Sequence, residues 1–390
     1  MEKQELPYWM ALTHATGFTV KRKIDFFISE AFNKKRKLSD ALVDFEAGKS
    51  DFIFTEKERT ALALSLKEIS GYSFLAEEIF NRGLEIITII DKEYPKTLKS
   101  NLKKAAPLLI YTKGNKELLN TSSVAIVGAR KSGERSLLFT DNIAKKAVSE
   151  GKAVVSGFAK GVDRQALDSA LKYNGKSIIV LPQGINTYTS KTYYAEINKG
   201  NVLVMSTYHP KARWATGLAM DRNKIIYGLA DEIFVAESDS KGGTWAGVND
   251  GLKKGRSIFI RNPEPAEKNA NAELIKKGAV PVNMDGNLIE DYKPAEQEKQ
   301  FAEEQAGDYS SRPPKNKITK EDLIDKVITE LKNSNKKLAI SGIKEKFNIN
   351  RSDSTISKWL KSSGKLIHIK QRGKLFFDLA ERKEQDLKLF

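Results

Sequence analysis

The chain has 390 residues, enough for two or three domains of ordinary size, and 40% of them are apolar. It has no cysteine, which excludes disulfides, thiolate metal sites and cysteine nucleophiles, and its three histidines, His14, His209 and His368, lie far apart, so neither a metal nor a cofactor is expected. Lys and Arg outnumber Asp and Glu by 66 to 50, a net charge of +16 that favours a polyanionic partner, because cations release condensed counterions from phosphates.

In chain order, residues 1–83 read as a helical module. Leu12, Ile24, Phe27, Ile28, Leu38, Ala41 and Leu42 recur at loosely helical spacing with charges between them. Ala15-Thr16-Gly17-Phe18-Thr19 is a weak match to a DNA-binding helix-hairpin-helix, and no DNA contact is assigned here. The opening MEKQELPYWM lacks the apolar run of a secretory signal. No stretch approaches the ~20 apolar residues of a membrane span, so a soluble, cytoplasmic chain with no membrane partner is expected.

From residue 84 the pattern changes. Leu84–Ile90 is rich in β-branched residues and predicts a strand, and Pro107–Tyr111 is the next apolar run. Val124–Val127 is continuously apolar, as in a sheet covered on both faces. Further strands are predicted at Ala153–Val155, Ser177–Leu181, Val202–Met205, Ile233–Ala236 and Ser257–Ile260, with helices between several of them. Alternating strands and helices predict an α/β domain over residues 84–282, a Rossmann-like doubly wound, mostly parallel sheet. Residues 283–317 are polar, charged and proline-bearing, and read as a linker. Residues 318–390 predict helices at Glu321–Leu331, Ile343–Phe347 and Ser354–Leu360, then strands at Leu366–Lys370 and Leu375–Leu379. That is the order of a winged helix-turn-helix, with Ser341 as a cap of its second helix.

Three glycine-bearing segments follow predicted strands. The first holds Gly128, Arg130 and Lys131; the second holds Ser156, Gly157, Lys160 and Gly161; the third holds Gly242, Gly243 and Thr244. Glycine allows a sharp turn and close approach of a ligand, and free N–H groups at the next helix start attract phosphate. Arg130 adds a fork of donors. Asp163 reads as a cap of its helix rather than a reacting group. Ligands of open α/β sheets bind at the carboxyl ends of the strands, where all three segments lie.

The stretch from Tyr94 to Val282 resembles the DprA/Smf family of DNA-processing proteins. The resemblance rests on DKEYP and PLLIYTKGN, then SVAIVGAR, VVSGFAKGVDRQALDSAL, RNKIIYGLAD and NAELIKKGAVPV, in that order. The chain is identified as a divergent member: the family's histidine after its SGxAxGID motif is replaced around Leu167-Asp168, and its Ser-Gly loop reads Gly242-Gly243-Thr244-Trp245. The resemblance implies single-stranded DNA held in a basic pocket of the Rossmann-like domain, a homodimer, and delivery of DNA to a RecA-type recombinase. By position it places Arg130, Lys160, Arg222 and Asn223 in that pocket. An aromatic, Phe158 or Trp245, would either stack a base or pack in the core.

Two other readings stand beside this one. A sensor or antitoxin would bind a nucleotide or a DNA end and regulate a protein from a neighbouring gene, as in phage-defence or mobile-element systems. A nucleotide hydrolase of the LOG type would use a Gly-Gly-x-Gly-Thr loop followed by a glutamate. Here Trp245-Ala246-Gly247-Val248 follows the loop and supplies no carboxylate, so no enzyme activity is expected.

The C-terminal module is expected to bind DNA. Ser311–Lys383 carries 19 Lys and Arg against eight Asp and Glu. In the helix-turn-helix reading the third helix meets the duplex through Arg351, Ser352, Ser354, Thr355, Lys358 and Lys361, while Ile356, Trp359 and Leu360 face the core. The wing would bring Lys370, Arg372 and Lys374 to the phosphates. Docking of a partner protein is the alternative for the same surface.

Overall fold

The computed structural model describes residues 2–189 and 191–289 and, nearer the C-terminus, 320–334, 337–347, 349, 353–361, 363, 366–371 and 374–379. The chain divides into two compact units, Met1–Glu298 and Lys299–Phe390.

The first unit opens with α1 (Leu6–His14), α2 (Val20–Phe27), α3 (Leu38–Glu46), α4 (Glu56–Leu66) and α5 (Ile69–Asn81). Thr19 caps α2 by accepting from the Arg22 N–H at 3.4 Å. Thr55 and Glu58 form a capping box on α4, with the Thr55 N–H donating to Glu58 Oε2 at 2.9 Å. Arg22 donates to both oxygens of that carboxylate at 3.0 Å, tying α2 to α4. This clamp holds the Glu58 carboxyl down at about 2. Such a depressed carboxyl contributes stability in full above its unfolded value near 4.5, and that contribution is lost as pH falls through about 2. Glu58→Gln is expected to cost about 1.5–3 kcal/mol at pH 7, and the deficit should shrink towards pH 2. Urea melts across that range read both effects; equal midpoints at pH 7 would contradict the clamp.

The helices bury Trp9, Met10, Phe26, Leu42, Leu62 and Ile79 almost completely. This core runs on into one face of the sheet. His14 Nε2 and the Tyr111 hydroxyl, 2.7 Å apart, form a polar link across the same boundary.

The α/β part follows in the order β1 (Glu85–Thr88), α6 (Lys96–Leu102), β2 (Leu109–Gly114), β3 (Ser123–Val127), α7 (Glu134–Ser149), β4 (Ala153–Ser156), α8 (Val162–Lys172), β5 (Ser177–Val180), α9 (Tyr194–Asn198), β6 (Val202–Ser206), α10 (Thr216–Leu229), β7 (Glu232–Val235), α11 (Gly243–Lys253), β8 (Ile258–Arg261), α12 (Asn271–Lys276) and β9 (Val280–Val282). The nine strands lie in the order β1-β2-β6-β5-β4-β3-β7-β8-β9. Strands β3 to β9 pair in parallel with their neighbours, while β1 and β2 extend the β6 edge antiparallel. The predicted doubly wound sheet is therefore present. Residues of β3 alternate between two cores: Val124 and Ile126 pack with α7 and α8, whereas Ala125 and Val127 join the larger core on the other face. Burial on both faces is why the strand reads as an unbroken apolar run.

The second unit contains α13 (Lys320–Ser334), β10 (Leu338–Ala339), α14 (Ile340–Lys346), α15 (Asp353–Lys361), β11 (Leu366–Gln371) and β12 (Lys374–Leu379), with its strands in the order β10-β12-β11. Leu323, Val327, Ile343, Ile356, Leu360 and Phe377 form its core, and Trp359 packs against it, on the side expected for these three residues of α15. β10 is too short to show as a period in the sequence. The α14 N-cap is Ala339, so Ser341 lies inside the helix, because the chain turns helical directly from β10.

Candidate nucleic-acid interface

The first two glycine segments leave β3 and β4 at their carboxyl ends and interlock. Gly161 has φ +81°, and a Cβ there would stand 2.5 Å from the Ala129 carbonyl oxygen, so a side chain is excluded by both conformation and space. Gly128 rests on Val162. Ser156 is buried and donates to the Ile126 carbonyl at 2.8 Å, beneath the loop. These three residues build the support of the site.

Carboxylates of the protein itself hold polar groups of the first two of these loops. Glu237, just after β7, accepts from the Gly133 N–H at 3.2 Å and the Ser136 hydroxyl at 2.7 Å, bracing the loop that opens α7. Asp163 lies in the first turn of α8, whose N-cap is Gly161, so it is not the cap the sequence suggests. Its carboxylate instead faces the amides of Gly157 and Ala159 and the Arg222 guanidinium, 3.9 Å away. Both members of this pair are buried; desolvation pushes the Asp163 carboxyl up and the Arg222 guanidinium down, although each attracts the other.

Side chains add positive charge beside these loops. A cleft of about 620 Å³ opens here, and Arg130, Lys131, Gly157, Lys160 and Arg222 all line it. Arg130, Lys131 and Lys160 are exposed and form no ion pair among the described residues. Arg222 is different: it is 4% exposed, donates to the Val180 carbonyl at 2.7 Å and forms the floor. Gly157 has to be glycine because a Cβ would lie 1.9 Å from the Arg222 Nη1.

Asn223 and the third glycine segment stand aside from the lining. The Asn223 side chain donates to the Gly243 carbonyl at 3.1 Å and so braces the start of α11, which holds Gly243 and Thr244 and has Gly242 as N-cap. Trp245 packs on the core under the Lys277 ammonium, 4.1 Å from its ring centre, and is not part of the cleft. Phe158 does line the cleft, with Tyr188 and Tyr193 edge-on to it and Arg164 4.5 Å over its ring.

Two parts of the wall escaped the sequence reading. One is the connection after β5, with Pro182, Gln183 and Tyr188. The strand-end rule applied to Pro182-Gln183-Gly184 would have found it. The other is Trp214, half exposed in the β6–α10 connection, for which no local signal exists. In the C-terminal unit, Arg351, Ser352 and Arg372 lie outside the described residues. Ser354, Thr355 and Lys358 belong to α15, Lys370 to β11 and Lys374 to β12, with side chains outside the description; Lys361, at the end of α15, is exposed. Among the described residues no cluster of His, Asp or Glu could hold a metal ion, and no helix is long and apolar enough to cross a membrane.

Comparison with known proteins agrees with this architecture. The X-ray structure of DNA processing protein A from Streptococcus pneumoniae superposes with a TM-score of 0.58 at 23% identity, over 72% of this chain and 95% of that one, and shows the same fold. In sequence, the chain is 32% identical over 179 residues to the DNA processing protein DprA of Streptococcus pneumoniae, covering 44% of this chain and 61% of that protein's length. It is 26% identical over 302 residues to the Smf protein of Synechocystis, covering 74% and 73%. A profile for the family described as DNA recombination-mediator protein A matches residues 85–293, the sheet and every loop of the cleft, and the chain belongs to that family.

Proposed function

We propose that this protein binds single-stranded DNA in the cleft at the carboxyl ends of β3, β4 and β5. The observation that carries the reading is the set of three exposed cations, Arg130, Lys131 and Lys160, without ion-pair partners among the described residues, at one cleft that also presents Trp214. Cations track a phosphate backbone without reading sequence, and an exposed aromatic ring offers a face on which any base can stack. The C-terminal unit would add duplex contacts as a winged helix, through Lys361 and the other basic positions of α15, β11 and β12, because Ile356 and Leu360 turn inward and leave the opposite side of α15 for DNA. Pairing of two copies and hand-over of the strand to a recombinase belong to the same reading.

The test is fluorescence anisotropy of a labelled oligonucleotide with the full chain at two salt concentrations. Binding should weaken steeply with salt. Trp214→Ala should cost about 1–3 kcal/mol of affinity if a base stacks on the ring. Binding insensitive to salt would remove the phosphate assignment, and full affinity in Trp214→Ala would remove the stacking assignment.

A further inference from the structure

A second cleft, of about 560 Å³, lies in the first unit where α1, α2 and α5 meet the β6–α10 connection and α10. Its size is that of a small-molecule site. Phe18, Val20, Pro107, Leu108, Leu218 and Ile225 supply an apolar wall.

The polar groups that converge in it are left incomplete. Lys23 is 5% exposed, and its ammonium has one acceptor, the Thr13 carbonyl at 2.6 Å. No carboxylate among the described residues pairs with it. Thr13 Oγ1 is buried with no hydrogen-bond partner. His209 uses Nδ1 to accept from the Lys211 N–H at 3.2 Å, and its ring meets His14 edge-on at 4.9 Å. Asp221, the acid in the lining, is already held by Lys224 at 2.5 Å and the Tyr208 hydroxyl at 3.3 Å. A buried ammonium without a counter-ion is costly, as is a buried hydroxyl without a partner.

We propose that this cleft binds a small organic anion, a carboxylate or phosphate on a flat apolar body, with the charged head on the Lys23 ammonium and the Thr13 hydroxyl and the body against His209 and the apolar wall. The site is separate from the DNA cleft, although the β6–α10 connection borders both: His209 faces one and Trp214 the other. Burial brings Lys23 down to about 8, and burial likewise lowers His14 and His209. The other titratable groups lining the cleft with Lys23 are His14 from α1, Tyr72 from α5, Tyr208 and His209 from the connection, and Asp221 and Lys224 from α10, with Tyr111 of β2 behind His14 at 2.7 Å. Lys23 is charged below about 8, so the bound anion should be held less tightly as pH rises through that value.

The experiment is isothermal titration of the full chain with benzoate, with AMP and with inorganic phosphate, at pH 7 and pH 9. Benzoate or AMP should bind, inorganic phosphate more weakly, and affinity should fall roughly tenfold between the two pH values. Lys23→Met should abolish binding and remove its pH dependence, and Thr13→Val should weaken it. Replacing a buried unpaired lysine with an apolar residue should not lower the melting temperature, so a folded variant is available for the test. A benzoate response without an AMP response assigns the carboxylate class, and the reverse assigns the phosphate class. Absence of heat with all three probes, or binding that survives Lys23→Met, would overturn the proposal. So would AMP binding that disappears in Arg130→Ala, because it would belong to the DNA cleft.

Discussion

The combined Arg130→Ala, Lys131→Ala and Lys160→Ala variant is expected to bind single-stranded DNA on the order of 100-fold more weakly at low salt, at about 1 kcal/mol for each lost contact between an exposed cation and a phosphate. The slope of log affinity against log salt should fall by about two, because each phosphate neutralised on a single strand contributes about 0.7. Both effects follow from the placement of these side chains, which are exposed, unpaired among the described residues and gathered at one cleft. Since these side chains form no hydrogen bond or ion pair among the described residues, the variant should melt within about 0.5 kcal/mol of the wild type. Equilibrium titrations at several salt concentrations, with a melt as control, read all three quantities. A salt slope that does not change would place the DNA elsewhere on the molecule.

Arg222→Met should have its main effect on folding. The guanidinium is buried, stacks against Gly157, donates to the Val180 carbonyl and neutralises Asp163. Removing it leaves a buried carboxylate without its counter-charge, at a cost of about 3–5 kcal/mol. The amides of Gly157 and Ala159 that face Asp163 favour the lower end of that range. Arg222→Met with Asp163→Asn should recover part of the loss, and the coupling in that cycle measures the pair. Urea denaturation of the four proteins is the measurement. Additive losses in the double variant would show that the two side chains act independently. Any DNA-binding defect of Arg222→Met has to be read on protein shown to be folded, since a damaged floor moves the rim cations with it.

The sequence alone determined the alternation of strands and helices from β1 to β8, and it did so for a physical reason. A parallel sheet covered on both faces needs unbroken apolar strands such as Val124–Val127, and its connections need glycine where the chain turns sharply. The exposed cations of the cleft were legible too, because Arg130, Lys131 and Lys160 sit in the turns that end such strands. The resemblance placed Arg222 in the DNA pocket with Arg130 and Lys160, and its burial makes it the floor beneath them.

Tertiary structure decided what fills the space around those turns. Gly128, Gly157 and Gly161 are close to Val162, Arg222 and Ala129, so in this protein the room they leave is taken by its own atoms. Glu237 reaches α7 from the far side of β3, and Trp214 reaches the cleft from a connection two strands beyond β4 in the sheet. A period in the sequence tells which side of an element is buried, and a motif tells which residues share a turn. Which residue meets that turn from a distant element depends on strand order, because the crossovers place β7 beside β3 and β6 beyond β5, an arrangement that no local pattern carries.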